Sequence, residues 1–150
     1  MEELELTYLP KYLPSEVLAA PFKEMLDIYI PESADHPILR IRRSGSKYEM
    51  TKKQPVLTGD SSRQIETTIP LTAEEFLELE KIPGKRVEKT RYLYEENGFN
   101  FEVDLFKGEL KGLVLVDIEF KTEKDKANFR APEWCLVDVT QEKFVAGGML

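Results

Sequence analysis

A charged residue, one residue skipped, then a second charged residue recurs along this chain in segments otherwise built for strands. The pairs are Glu3 and Glu5, Arg40 and Arg42, Lys89 and Arg91, Glu102 and Asp104, and Asp117 and Glu119. Strand side chains point alternately to two faces, so each pair shares one face and the residue between points to the other. The skipped residues are mostly apolar (Leu4, Ile41, Val103, Ile118). The pattern therefore predicts a sheet with one hydrophobic and one ionic face. A solvated outer face is the usual destination of such charges. Same-sign neighbours on one face repel, however, and repeating them costs stability unless opposite charge lies between them. Basic and acidic pairs facing one another inside a closed barrel would satisfy that condition.

The rest of the pattern supports enough strands to close. Strands are expected over residues 3–9, 27–30, 38–43, 47–53, 63–69, 87–94, 99–106, 112–120 and 136–140, with Pro10, Pro31 and Pro70 as stops. Ser44-Gly45-Ser46 and Asn97-Gly98 mark hairpin turns. Val17, Leu18, Phe22 and Met25 have helical spacing interrupted by Pro21, which predicts a short helix or two turns over residues 15–25. Thr72 followed by Glu75 is a capping box opening a helix with Phe76, Leu77 and Leu79 as its apolar stripe. A further short helix is expected over residues 123–129. The fold class expected is α+β, predominantly antiparallel β: a closed eight-stranded barrel, or tunnel, with a few peripheral helices.

Composition narrows the function classes. With 150 residues, 41% of them hydrophobic, the chain can bury one core and is expected to form a single domain over residues 1–150. No apolar run approaches the roughly 20 residues of a membrane helix, and the opening Met-Glu-Glu-Leu-Glu-Leu is acidic where a secretory signal is basic. A cytoplasmic protein with no membrane partner is expected. One cysteine and one histidine leave carboxylates as the available metal ligands, which favours Mg²⁺ or Mn²⁺ over zinc or copper. The net charge of −7 argues against a broad nucleic-acid surface. It leaves room for a basic pocket, because Arg40, Arg42, Arg43, Lys47, Lys52 and Lys53 cluster, as do Lys85, Arg86, Lys89 and Arg91.

A barrel interior carrying both signs suits a phosphate chain. Lysine and arginine surround its oxygens, the arginine fork takes two at once, and carboxylates hold the divalent cation that bridges them.

These segments, in this order, resemble the CYTH family, the triphosphate tunnel metalloenzymes. Glu3-Leu4-Glu5 resembles the start of its Glu-x-Glu-x-Lys signature, Arg40-Ile41-Arg42 its Arg-x-Arg strand, and Thr51-Lys52-Lys53 its Thr-x-Lys. Lys89-Thr90-Arg91 is similar to its Lys-x-Arg segment, and Glu102-Val103-Asp104 and Asp117-Ile118-Glu119 to its acidic strands. Pro132-Glu133-Trp134 and Val137-Asp138-Val139-Thr140 resemble its closing motif. The resemblance implies a tunnel that binds a small-molecule triphosphate with one or two divalent cations. Members hydrolyse inorganic triphosphate, thiamine triphosphate or RNA 5′-triphosphates, or cyclise ATP.

Carried over by position, the resemblance implies phosphate contacts from Arg40, Arg42, Lys53, Lys89 and Arg91, with Arg63 as a further one. It implies metal ligands among Glu3, Glu5, Glu66, Glu102, Asp104, Asp117, Glu119 and Asp138, with Glu119 and Glu5 foremost. Catalysis would rest on Glu5, Glu119 and the position of Thr7. That position departs from the family, whose lysine there is associated with the attacking water. The family's Tyr-x-Asn-x-x-Leu region is replaced by Phe144-Val145-Ala146-Gly147-Gly148-Met149-Leu150.

The function expected is metal-dependent hydrolysis of a triphosphate, inorganic triphosphate foremost, by a monomer or homodimer. The alternatives are a triphosphate- or polyphosphate-binding module impaired in catalysis, which Thr7 supports, and an adenylate cyclase. His36 reads as a loop residue, with a tunnel-mouth proton donor as its functional alternative. Cys135 reads as packing beside Trp134, and Gly147-Gly148 as no phosphate loop, since no Lys-Ser/Thr follows.

Overall fold

In a computed structural model describing residues 2–150, the chain forms one antiparallel sheet that closes on itself. Its strands are β1 (Glu2–Pro10), β2 (Phe22–Ile30), β3 (Leu39–Ser44), β4 (Lys47–Pro55), β5 (Arg63–Leu71), β6 (Lys85–Glu96), β7 (Phe99–Phe106), β8 (Val114–Phe120) and β9 (Cys135–Asp138). The first eight run in the order β5-β4-β3-β2-β6-β7-β8-β1, and β1 returns to β5 through Glu2↔Ile65, Glu3↔Gln64 and Leu4↔Arg63. This is the expected closed eight-stranded barrel. The ninth strand lies outside the ring, pairing with the far half of β1 from Tyr8↔Asp138 onward.

Three helices pack on the outside: α1 (Ser15–Leu18), α2 (Ala73–Leu79) and α3 (Glu123–Asn128). The expected helical reading of residues 15–25 holds only for its first turn. Residues from Phe22 belong to β2, where Phe22 pairs with Tyr92 and Met25 with both Ser44 and Lys89. Central-strand pairing on two sides outweighs a weak helical period in a segment that Pro21 already interrupts. Pro70 does not end its strand either. It pairs with Glu49, and β1 flanks β5 only as far as Ile65, so the missing N–H is accommodated at an edge.

The local signals explain the remaining elements. Thr72 Oγ1 accepts from Glu75 N at 3.1 Å while Glu75 Oε1 accepts from Thr72 N at 2.8 Å, so α2 begins with a complete capping box. Such a cap stabilises a helix by about 1 kcal/mol. Asn97 and Gly98 have φ of 52° and 79°, the left-handed pair that a tight two-residue hairpin turn needs.

The apolar face of the sheet points outward and is covered there. Leu4, Phe101, Val103, Val116, Ile118 and Phe120 pack with Val17 of α1, Phe129 and Trp134. Leu26, Ile28 and Ile41 pack under Phe76 of α2, which is 1% exposed. Removing that ring would cost about 3–5 kcal/mol. With the apolar residues spent on the outer shell, the alternate positions of every barrel strand turn into the tunnel.

Candidate active site

The tunnel encloses about 520 Å³ and is lined by alternate residues: Glu3, Glu5 and Thr7 from β1, Asp27 from β2, Arg40 and Arg42 from β3, Thr51 and Lys53 from β4, and Glu66 from β5. Lys89 and Arg91 of β6, Glu102 and Asp104 of β7, and Asp117 and Glu119 of β8 complete the wall. The ionic pairs thus face one another across a closed space.

The cations are held in two groups. In the first, Asp27 accepts from Arg42 Nε at 2.6 Å and from Arg42 Nη2 at 2.7 Å. Lys89 Nζ lies 3.6 Å from Asp27 and 2.8 Å from Asp104. Asp104 accepts from Arg91 Nε and Nη2 at 2.7 and 2.8 Å, and Arg91 Nη1 reaches Glu102 at 3.1 Å. Burial works to raise the pKa of Asp27, but the Arg42 fork and the charges of Arg42, Lys89 and Arg40 outweigh it and hold the carboxyl far below its usual range. Asp104 is likewise depressed, by Lys89 and Arg91 against burial.

In the second group, Lys53 Nζ bridges Glu3 at 2.6 Å and Glu5 at 3.4 Å. Arg40 stands apart. Its Nε is buried without a hydrogen-bond partner in the protein, and the nearest carboxylate, Glu49, is 3.9 Å from Nη2. A buried guanidinium nitrogen left without a partner is costly unless a ligand meets it.

The carboxylates concentrate on the other side. Oxygens of Glu3, Glu5 and Glu119 lie within 4.8 Å of one another, the only such group among the described residues. Burial, then the charges of Glu102 and Glu3, push Glu119 up to about 7, although its side chain is exposed at the mouth. Asp117 is pushed up to about 6 by burial and by Asp104. Glu5 is raised by burial and Asp117 against the pull of Lys53, and Glu66 by its contact with Glu3 together with burial. Carboxyl groups this close cannot all ionise cheaply, and a hard divalent cation relieves that repulsion. The donors are all oxygen, which fits Mg²⁺ or Mn²⁺.

Two expected site residues lie elsewhere. Arg63 is on the outer face of β5, ion-paired to Glu2 and Glu123. Its neighbours Gln64 and, two further on, Glu66 take the tunnel-facing parity, so Arg63 cannot share it. Asp138 sits on β9, exposed and outside the tunnel lining, accepting from the backbone N of Thr140 at 2.9 Å. Register shifts at Leu9/Pro10, where β9 joins β1, and the strand takes no place in the ring. The remaining expected residues all reach the tunnel.

Sequence reasoning missed Asp27, Lys23 and Glu49, which also line the tunnel, as does Lys47 of the expected basic cluster. The available signal for Asp27 was a carboxylate between the apolar Leu26 and Ile28, the same charged-in-apolar alternation with a single charge. Residues 143–150 close another part of the wall. Val145 and Leu150 pack with Val87, Phe106 and Leu115, making that part apolar. His36 and Pro37 also reach the lining, beside Gly148. Cys135 is a buried packing residue, its thiol pushed up to about 12 by burial and then by Glu96.

Comparison with known proteins agrees with this fold. The CYTH domain model matches residues 3–136. An inorganic triphosphatase of Nitrosomonas europaea is 36% identical over 145 residues, covering 95% of this chain and 92% of that protein. An inorganic triphosphatase of Acetivibrio thermocellus is 39% identical over 103 residues, 68% of this chain and 64% of that protein. A crystal structure of an inorganic triphosphatase superposes with a TM-score of 0.68 at 26% identity, over 98% of this chain and 92% of the other. No helix among the described residues is long and apolar enough to cross a membrane.

Proposed function

The chain belongs to the CYTH family, and from that membership we propose that it is a divalent-metal-dependent triphosphatase acting on inorganic triphosphate inside the tunnel. One observation carries the reading: the arginines and lysines of β3 and β6, Arg42 and Lys89 buried among them, share one tunnel with a cluster of three carboxylates. The relatives named inorganic triphosphatases support the choice of substrate.

Charge balance supports the metal. The carboxylates lining the tunnel, Glu3, Glu5, Asp27, Glu49, Glu66, Glu102, Asp104, Asp117, Glu119 and Glu142, outnumber the cations Arg40, Arg42, Lys53, Lys89, Arg91, Lys23, Lys47 and Lys143. A free polyanion would meet net repulsion there. Glu3, Glu5 and Glu119 would hold Mg²⁺ or Mn²⁺, with Glu66 and Glu102 beside them. When bound, the cation would neutralise triphosphate oxygens and lower the pKa of an attacking water.

The protein's own part is binding and orientation. Arg40 offers a guanidinium almost free of protein partners, while Arg42 keeps Nη1 outside its bonds to Asp27. Lys89 and Arg91 extend the same basic wall, fixed by Asp104. Lys53 neutralises Glu3 and Glu5 until a cation and a phosphate chain compete for the same partners. Fixed cations aimed at the phosphoryl group stabilise the charge that develops during its transfer, and no protein nucleophile is needed. All these side chains come from one chain, so the reading requires no second copy. The lone cysteine suits a cytoplasmic setting.

Thr7 favours a second reading, a tunnel that binds triphosphate without turning it over. Its hydroxyl is committed to Asp117 at 2.7 Å, leaving no ammonium at that position of β1. The two are separated by phosphate release from tripolyphosphate, thiamine triphosphate and ATP, measured beside calorimetric binding. Hydrolysis of tripolyphosphate ahead of the organic substrates supports the triphosphatase. Binding without release across Mg²⁺, Mn²⁺ and Ca²⁺ overturns it in favour of the binding module.

A further inference from the structure

β2 runs between the two strands that carry most of the tunnel's cations, β3 on one side and β6 on the other. Its one tunnel-facing carboxylate, Asp27, is 0% exposed and lies directly opposite Arg42 in the β2–β3 register. Both oxygens are turned to cations: Oδ1 to Arg42 Nε at 2.6 Å, and Oδ2 to Arg42 Nη2 at 2.7 Å and Lys89 Nζ at 3.6 Å. It takes no part in the Glu3, Glu5 and Glu119 group.

A fully buried carboxylate is expensive, and here it cancels positive charge where a polyanion is to be held. Attraction of phosphate alone would be served better without it. What Asp27 does supply is direction. The bidentate contact fixes the Arg42 plane with Nη1 away from Asp27, and the second oxygen, 3.6 Å from Lys89 Nζ, adds a weaker pull to the 2.8 Å bond by which Asp104 holds that ammonium, 5.5 Å over the Phe106 ring. Two long cationic side chains from different strands are thereby held relative to one another before substrate arrives.

We infer that Asp27 is a positioning residue that orients Arg42 and Lys89 for phosphoryl transfer at the expense of ground-state affinity. The inference rests on the triphosphatase reading for its kinetic consequence and on geometry alone for its structural one. Preorganised donors act most strongly on charge that develops in the transition state, so loss of orientation lowers kcat, while loss of a negative charge favours the bound polyanion.

The test is Asp27→Asn, compared with wild type and with Arg42→Gln and the double variant, using tripolyphosphate. Folded D27N is expected to lose about tenfold or more in kcat with KM and calorimetric Kd unchanged or lower, a split that general destabilisation does not produce. An unchanged kcat, or a Kd weakened in step with it, overturns the inference. If D27N fails to fold, the double variant removes both buried partners together and spares the unpaired charge. It is expected to fall to or below R42Q in kcat, because Lys89 loses its second carboxylate as well, and a kcat above that of R42Q overturns the inference. Nuclear magnetic resonance of the Arg42 Nε–H gives a readout independent of turnover. One ordered signal in wild type that is lost or averaged in D27N is expected, and the same ordered signal in both overturns the inference. A wild-type protein that binds tripolyphosphate without hydrolysis would sink the triphosphatase reading and leave this spectroscopic test standing.

Discussion

Thr7 and Asp117 face each other across the β1–β8 pair, and the threonine hydroxyl donates to Asp117 Oδ1 at 2.7 Å. The backbone N of Thr7 donates in turn to Thr140 Oγ1 at 3.0 Å, so the residue is fixed from two sides. This is the point where the chain departs from the family's lysine. Burial and then the charge of Asp104 hold Asp117 up at about 6, and the hydroxyl, which adds no charge, offsets them only in part.

Thr7→Lys should place an ammonium beside Asp117 and return a phosphate contact to β1. One charge-assisted hydrogen bond contributes about 1.5–3 kcal/mol. We expect triphosphate turnover to rise by roughly tenfold or more, since each 1.4 kcal/mol is tenfold, and phosphate release under saturating metal measures it. Turnover equal to or below wild type would show that the hydroxyl is not the weak point of the site.

Arg40→Ala should weaken substrate binding without harming the fold. Its Nε has no protein partner and its one ion pair is long, 3.9 Å, so little stability is lost with it. KM for tripolyphosphate is expected to rise by roughly 10- to 100-fold, with the thermal midpoint close to wild type. A fall in the midpoint with KM unchanged would assign Arg40 to the fold instead.

Stability without metal should fall as pH rises from about 4 to about 7. Glu119 and Asp117 are raised from 4.5 and 3.8 to about 7 and about 6, so the folded chain binds more protons than the unfolded chain across that window. The sign is therefore loss of stability on deprotonation. Asp27 and Asp104, depressed in the fold, act oppositely and lose their contribution only as pH falls below their ordinary range. Urea denaturation across pH with chelator should show this decline, and Mg²⁺ or Mn²⁺ should remove it. A metal-free protein that gains stability over the same window would contradict the carboxylate assignment.

Gly148→Val should loosen the segment that closes the apolar part of the tunnel. A Cβ at Gly148 would sit 2.1 Å from the Pro37 carbonyl oxygen, a backbone atom that cannot swing aside. Overpacking of this kind costs about 1–3 kcal/mol. Thermal denaturation should show a lower midpoint, and hydrogen exchange should show reduced protection at Ala146 and Leu150, whose amides donate to Lys143 and Gly147. Unchanged protection would mean that the segment tolerates displacement.

Much of the fold could be read before any coordinates, because the same-sign pairs could not lie together on a solvated sheet without cost. Arg40 with Arg42 and Asp117 with Glu119 thereby indicated an inward ionic face. Phe22 and Met25 were misleading: their spacing matched a helix, while pairing with β3 and β6 on both sides decided the outcome. Arg63 was excluded from the tunnel by parity with Gln64 and Glu66, which the sequence already contained. Asp138 was not decidable that way, since β9 lies beyond the ring and joins it at a register shift. Asp27 was hidden because a single carboxylate forms no pair. The closing role of Val145 and Leu150 was hidden because short 3₁₀ turns have no periodicity to read.

The most direct measurement is the rate of phosphate release from tripolyphosphate as Mg²⁺ or Mn²⁺ is titrated into metal-stripped protein, for wild type and for Glu119→Gln. The account predicts no release without metal, saturable release with it, and a Glu119→Gln curve displaced to higher metal concentration with a lower plateau, because one of three clustered ligands has lost its charge. Release that persists in chelator, or a Glu119→Gln curve that overlays wild type, would contradict it.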